Sequence, residues 1–250
     1  MTSIIVETDG HILKIGINRP EKKNALTLDM YDSMSAALER AEDDPSVRCV
    51  ILYGEGGNFC SGNDLSAFPD DPAEGGATPV MRFVKAFVHA SVPIVAAVEG
   101  VAAGLGATML LHFDSVIVST EARIVYSFVN LALPPEAGSS LLLPQIMGYA
   151  RAADLVLRGG SFKGAAALQA GLATHLVEPG ACLKKAMDIA AEIASKPPHA
   201  VREAKKLLKG NPDILMQRIV KEEQVLFRGL ASDEAREAMA AFMEKRPAKF

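Results

Sequence analysis

Apolar and polar positions change period several times along the chain, and each change marks an element. Residues 3–8 and 11–18 alternate around Asp9-Gly10, the pattern of a β-hairpin, because successive strand residues face opposite sides. From Leu28 the period lengthens. Leu28, Met30, Tyr31, Met34, Ala37, Leu38 and Ala41 make a helical stripe behind Thr27, a residue suited to the N-cap. "VRCVILYG" (47–54) and "PIVAAVEG" (93–100) are continuously apolar, as strands covered on both faces of a parallel sheet are. Further strands are predicted at 114–120 and 123–128, and "VAAGLGATMLLHF" reads as a loop entering a buried helix. Helices are predicted at 80–90, 138–147, 150–157, 164–170 and 181–195. After Pro197-Pro198 only charged amphipathic segments remain, at 199–209, 213–229 and 232–245. Strand–helix alternation followed by helices alone predicts an α/β core over residues 1–195 and a helical region over 196–250.

The remaining stretches exclude several functions. Residues 83–113 are the most apolar, but Lys85, His89, Pro93, Glu99 and His112 interrupt them, which fits a buried strand and helix rather than a membrane span. The first eighteen residues read as strand and not as a secretory leader. Residues 66–80, rich in Pro, Gly, Asp and Ala, predict a mobile surface loop. A net charge of −4 over 250 residues, without a basic stripe, argues against nucleic acid as the partner. Cys49, Cys60 and Cys182 lack metal-ligand spacing and suggest a reduced compartment, hence a cytoplasmic location. The five histidines show no metal pairing, so no metal is expected, and His89 and His112 read as core or surface residues.

Two glycine loops carry the candidate chemistry. "NFCSGNDL" and "GVAAGLGAT" each follow a buried strand and precede a helix, whose first amides have no partner within it. They serve either as ordinary strand–helix turns or as a pair of amides that stabilise negative charge on a carbonyl oxygen. No nucleotide-phosphate fingerprint is present. In "LPPEAGSSLLLP", Glu136 sits between prolines and small residues. It is either an acid favouring the helix that begins near Gly138 or a buried acid among Phe128, Val129, Leu131, Leu133 and Leu141, where its pKa would rise. Asp64 reads as a cap, Asp114 as a strand-turn cap, Glu99 as a possible auxiliary acid, and Cys60 as structural.

The order and spacing of "NRPEKKNALT", "NFCSGNDL", "PIVAAVEGVAAGLGATMLLHFD", "LPPEAGSSLLLP", "GLATHLV" and "AFMEKRPAKF" resemble the crotonase superfamily of enoyl-CoA hydratases and isomerases over the whole chain. The resemblance implies a crotonase-type spiral of β-β-α turns with a C-terminal helical trimerisation region, assembled as a homotrimer or dimer of trimers. It implies an acyl-CoA thioester substrate whose carbonyl oxygen receives the backbone amides of Asn63 and Leu105. No cofactor beyond the CoA of the substrate is implied. Lys23, Ala25, Ser61, Leu65, Phe128, Phe242 and Lys245 match acyl-CoA-binding positions, and Lys22 and Arg246 add local positive charge. The two glutamates with which a hydratase of this superfamily holds water fall at Thr108 and Phe128, so both are missing. Glu136 matches the single glutamate of the 3,2-enoyl-CoA isomerase branch, which moves a proton from C2 to C4. The implied activity is therefore 3,2-enoyl-CoA isomerisation, with hydration of 2-enoyl-CoA or non-catalytic acyl-CoA binding as alternatives.

Overall fold

The computed structural model describes residues 2–64, 78–244 and 246–250. Leu65, Lys245 and the loop expected at 66–80, as far as residue 77, lie outside the described residues, as does the side chain of Phe242.

Strands β1 (Ile4–Asp9) and β2 (Ile12–Ile17) form the predicted antiparallel hairpin. β3 (Cys49–Gly54), β4 (Ile94–Val98), β6 (Ser115–Ser119) and β9 (His175–Val177) extend it in parallel, in the order β1-β2-β3-β4-β6-β9. The continuous apolar pattern of β3, β4 and β6 follows from cover on both faces. Leu13, Val50, Leu52, Ile94, Ala96 and Val116 enter the main core with α1 (Leu28–Asp43) and α2 (Pro79–His89). Cys49, Ile51, Val95 and Ile117, one residue out of phase, meet α7 (Cys182–Ala194) on the opposite face. That helix presents Cys182, Ala186, Ala190 and Ala194 at intervals of one turn, and these small side chains let it lie close to the sheet.

A second sheet pairs β5 (Val101–Ala103), β7 (Arg123–Val125) and β8 (Ser161–Lys163). β4 thus passes through Gly100 into β5, and β6 passes through Glu121-Ala122 into β7. The pairs β4/β5, β6/β7 and β8/β9 each give one strand to the large sheet and one short strand to the small sheet, and the chain after β3 meets the small sheet only at the Cys60–Ala102 bridge. β7 ends earlier than expected, and residues Phe128–Leu131 form a 3₁₀ turn instead of strand. The buried helix expected after the second glycine loop is a single α-turn, α3 (Leu105–Thr108), continued by a 3₁₀ turn at Met109–His112.

Helices α4 (Ser139–Met147), α5 (Tyr149–Leu157) and α6 (Gly164–Gln169) follow. The chain ends in α8 (Pro198–Lys209), α9 (Pro212–Leu230) and α10 (Asp233–Glu244). α8 is fastened to the core by ions. Arg202 donates to Glu42 at 2.9 Å, and buried Lys205 donates to Asp114 and to the Val92 carbonyl, each at 2.7 Å. Asp114 also accepts the Ile94 amide, so its expected capping role is joined by an ion pair. Among the described residues, no helix is long and apolar enough to cross a membrane.

Candidate active site

β3 and β4 are neighbours, and the loops that follow them are hydrogen-bonded together. The Cys60 amide donates to the Val101 carbonyl at 3.0 Å, and the Ala103 amide donates to the Cys60 carbonyl at 2.9 Å. Glycine makes this approach possible. A Cβ at Gly106 would lie 2.4 Å from the Cys60 carbonyl oxygen, and one at Gly62, where φ is +91°, would lie 2.9 Å from that of Ala103. Asn63 and Leu105 lie one on each loop. Neither backbone amide has a hydrogen-bond partner among the described residues, and Leu105, opening α3, has none to expect within its helix. The side chain of Asn63 is held by Tyr31, whose buried hydroxyl donates to Asn63 Oδ1. The helical stripe of α1 identified Tyr31 only as core.

Thr108 stands one turn after Leu105 on α3. Its hydroxyl donates to Glu136 Oε1 at 2.6 Å. The residue that occupies a missing hydratase acid position is therefore the partner of the remaining acid. Glu136 reaches it from an irregular turn, in which Ala137 has φ +53° and Gly138 φ +79°. The Ser139 amide (3.0 Å) and hydroxyl (2.6 Å) both donate to the Glu136 carbonyl, and His112 Nε2 lies 2.7 Å from the Ala137 carbonyl. These bonds hold the turn while the carboxylate points toward α3.

The start of α4 is not where the Glu136 carboxylate is spent. That place belongs to Glu222 of α9, which accepts the amides of Gly138 (2.5 Å) and Ser140 (2.9 Å). Sequence reading missed Glu222, which is more than eighty positions away. Burial pushes the Glu136 carboxyl up to about 7; the Thr108 hydrogen bond opposes this and the Glu222 charge adds to it. A carboxylate in that range suits proton transfer near neutral pH.

The other expected residues divide. Lys23, exposed with φ +50°, and Ala25 lie on an edge sewn to the first loop: the Ser61 amide donates to the Lys23 carbonyl at 3.0 Å. Asp64 forms an ion pair with Arg19 at 2.6 Å. Phe128 is buried on its 3₁₀ turn beside the ring of Tyr126, and α10, which carries Phe242, packs on that turn. Arg246 is bound to Glu237 and Glu244 and is not a free cation for a ligand. Glu99 accepts the Gly180 and Cys182 amides at the start of α7, so it caps that helix instead of serving as an auxiliary acid. Cys60 is buried, with its thiol pushed up to about 12, which fits its structural reading. No group of three His, Cys, Asp or Glu among the described residues is arranged to hold a metal ion.

The enoyl-CoA hydratase/isomerase family profile matches residues 7–250. Enoyl-CoA delta isomerase 2 of Rattus norvegicus is 33% identical over 98% of the chain, which spans 64% of that protein's length. Enoyl-CoA hydratase EchA19 of Mycobacterium tuberculosis is 34% identical over 98% of the chain and 95% of its own. The crystal structure of an enoyl-CoA hydratase/isomerase from Pseudoalteromonas atlantica T6c superposes with a TM-score of 0.94 at 40% identity, covering all of both chains. The chain belongs to the enoyl-CoA hydratase/isomerase family and has the crotonase fold.

Proposed function

We propose that the protein is a 3,2-enoyl-CoA isomerase in which Glu136 is the only proton carrier. The ionised carboxylate takes a proton from C2 of a 3-enoyl thioester, where the carbonyl and the alkene both acidify it. The resulting dienolate places its charge on the thioester oxygen, and the Asn63 and Leu105 amides stabilise it. Glu136, now protonated, returns the proton to C4 and leaves the 2-trans-enoyl thioester. Each atom transferred belongs to substrate or carboxylate, so the step calls for no metal or redox cofactor. Lys23, Ala25 and Ser61 would border the CoA moiety.

One observation carries this reading. Glu136 is a raised carboxylate whose near neighbours offer no second base: Thr108 donates to it, and the Glu222 oxygens are both taken by amides. Syn hydration needs a second group to hold and activate water, and the described residues hydrogen-bonded around Glu136 do not offer one. Hydration of 2-enoyl-CoA is the second reading, favoured by the names of relatives such as EchA19. Assaying purified protein on 3-enoyl-CoA and on crotonyl-CoA separates the two. Isomerisation is expected to dominate, and hydration faster than isomerisation would overturn the proposal.

A further inference from the structure

Glu222 belongs to the C-terminal helical region, yet its carboxylate ends at the catalytic turn. On α9, Leu215, Ile219 and Glu222 share one face, spaced at one and two turns. The first two pack on the turn so closely that a Cβ at Gly138 would lie 2.6 Å from Leu215 Cδ1 and 3.4 Å from Ile219 Cγ1. Glu222 then closes the contact with one oxygen on the Gly138 amide and the other on the Ser140 amide. A bidentate, almost fully buried carboxylate fixes both position and direction of the peptide units that follow Glu136. It also sets one negative charge near another in a setting with little water, where such charges interact strongly.

We propose that Glu222 is a positioning residue for the Glu136 chemistry: it holds the Ala137–Ser140 turn in register and keeps a negative charge behind the base. The proposal rests on the reading of Glu136 as that base. The other groups facing the pair do not supply this charge. Thr108 donates to Glu136 from α3, and Tyr31, from α1, has its hydroxyl pushed up by burial and stays neutral. His112 is pushed down to about 3 by burial and is uncharged over the working range. Burial pushes the Glu222 carboxyl itself up, while the hydrogen bonds from Ser140 and Gly138 and the charge of Arg218 favour its ionised form; Arg218, one turn before Glu222, also donates to the Ser140 hydroxyl at 3.3 Å. Glu223, on the same helix, has its carboxyl pushed up by burial, with the Lys85 charge of α2 opposing this. Glu222 raises the Glu136 carboxyl, and removing its charge must lower it.

The test is ¹³C NMR titration of glutamate carboxyls in the intact protein, with the Glu136 signal assigned by its loss in Glu136→Gln. In Glu222→Gln the Glu136 midpoint is expected to move to lower pH, and the acidic limb of the isomerisation profile to move with it. A merely structural role would lower thermal stability and rate at every pH but leave both midpoints in place, and that result would overturn the proposal. If Glu222→Gln does not fold, the wild-type titration decides. The Glu136 signal should then show a second, smaller step as Glu222 ionises, and a single-step curve would refute the coupling. Because the NMR midpoint needs no turnover, absence of isomerisation would count against the proposed function and not against this coupling.

Discussion

Burial and the Glu222 charge act on Glu136 against the Thr108 hydroxyl, and the first pair prevails, so the group titrates near 7 rather than 4.5. A base must be ionised to work. kcat/KM for isomerisation is therefore expected to rise with pH through about 7 and level off above it. Thr108→Val removes a donor that favours the ionised form, so its profile should be displaced to higher pH, the opposite direction to Glu222→Gln. A displacement to lower pH would show that Thr108 does not act on the carboxylate as the geometry states. The neighbours of Glu136, prolines before and small residues after, leave a helix-start acid and a buried acid both open; only the resemblance, with Thr108 and Phe128 at the missing acid positions, singles it out. Thr108 was legible only as a missing acid, since its role depends on a side chain 28 positions away. Tyr31 reads as core because its ring is core; only the hydroxyl on Asn63 does more.

At the scale of elements, what the pattern revealed depended on length. Strands of five or six residues covered on both faces stand out as apolar runs, and β3, β4 and β6 were found within two residues of their bounds. β5, β8 and β9, three residues each, are too short to show a period and are created by pairing with neighbours. The pattern over 199–209 predicts a charged amphipathic helix without showing which charges are buried, and in α8 Lys205 is buried on Asp114 and the Val92 carbonyl. With side-chain exposures of 5% and 25%, this pair is far from a surface ion pair. Lys205→Ala leaves a carboxylate and a carbonyl without their cation, and denaturant unfolding is expected to show a loss of about 3–5 kcal/mol. A loss under about 1 kcal/mol, the range of surface pairs, would mean that the tether contributes little.

For the whole molecule, a carboxyl raised by burial is a cost to stability. The folded state holds the Glu136 proton up to about 7, whereas the unfolded chain releases it near 4.5. Stability therefore falls as pH rises between those values and stays reduced above them. Glu136→Gln is expected to be more stable than wild type at about pH 8, by up to about 3 kcal/mol at about 1.4 kcal/mol per pKa unit. The gain should vanish below the unfolded-state pKa, and thermal melts at the two pH values check both the sign and the window. The fold brings this costly group against α3, which follows the second glycine loop, and sets the C-terminal helix α9 on the turn behind it. The central claim is that one carboxylate carries the reaction. Its most direct test is the rate of 3-enoyl-CoA isomerisation and of 2-enoyl-CoA hydration by wild type and Glu136→Gln, with acyl-CoA affinity measured alongside. The expected result is retained binding with isomerisation reduced by about 10²–10⁴-fold, the usual share of a positioned base; isomerisation that survives the substitution, or hydration that dominates and persists without Glu136, would contradict it.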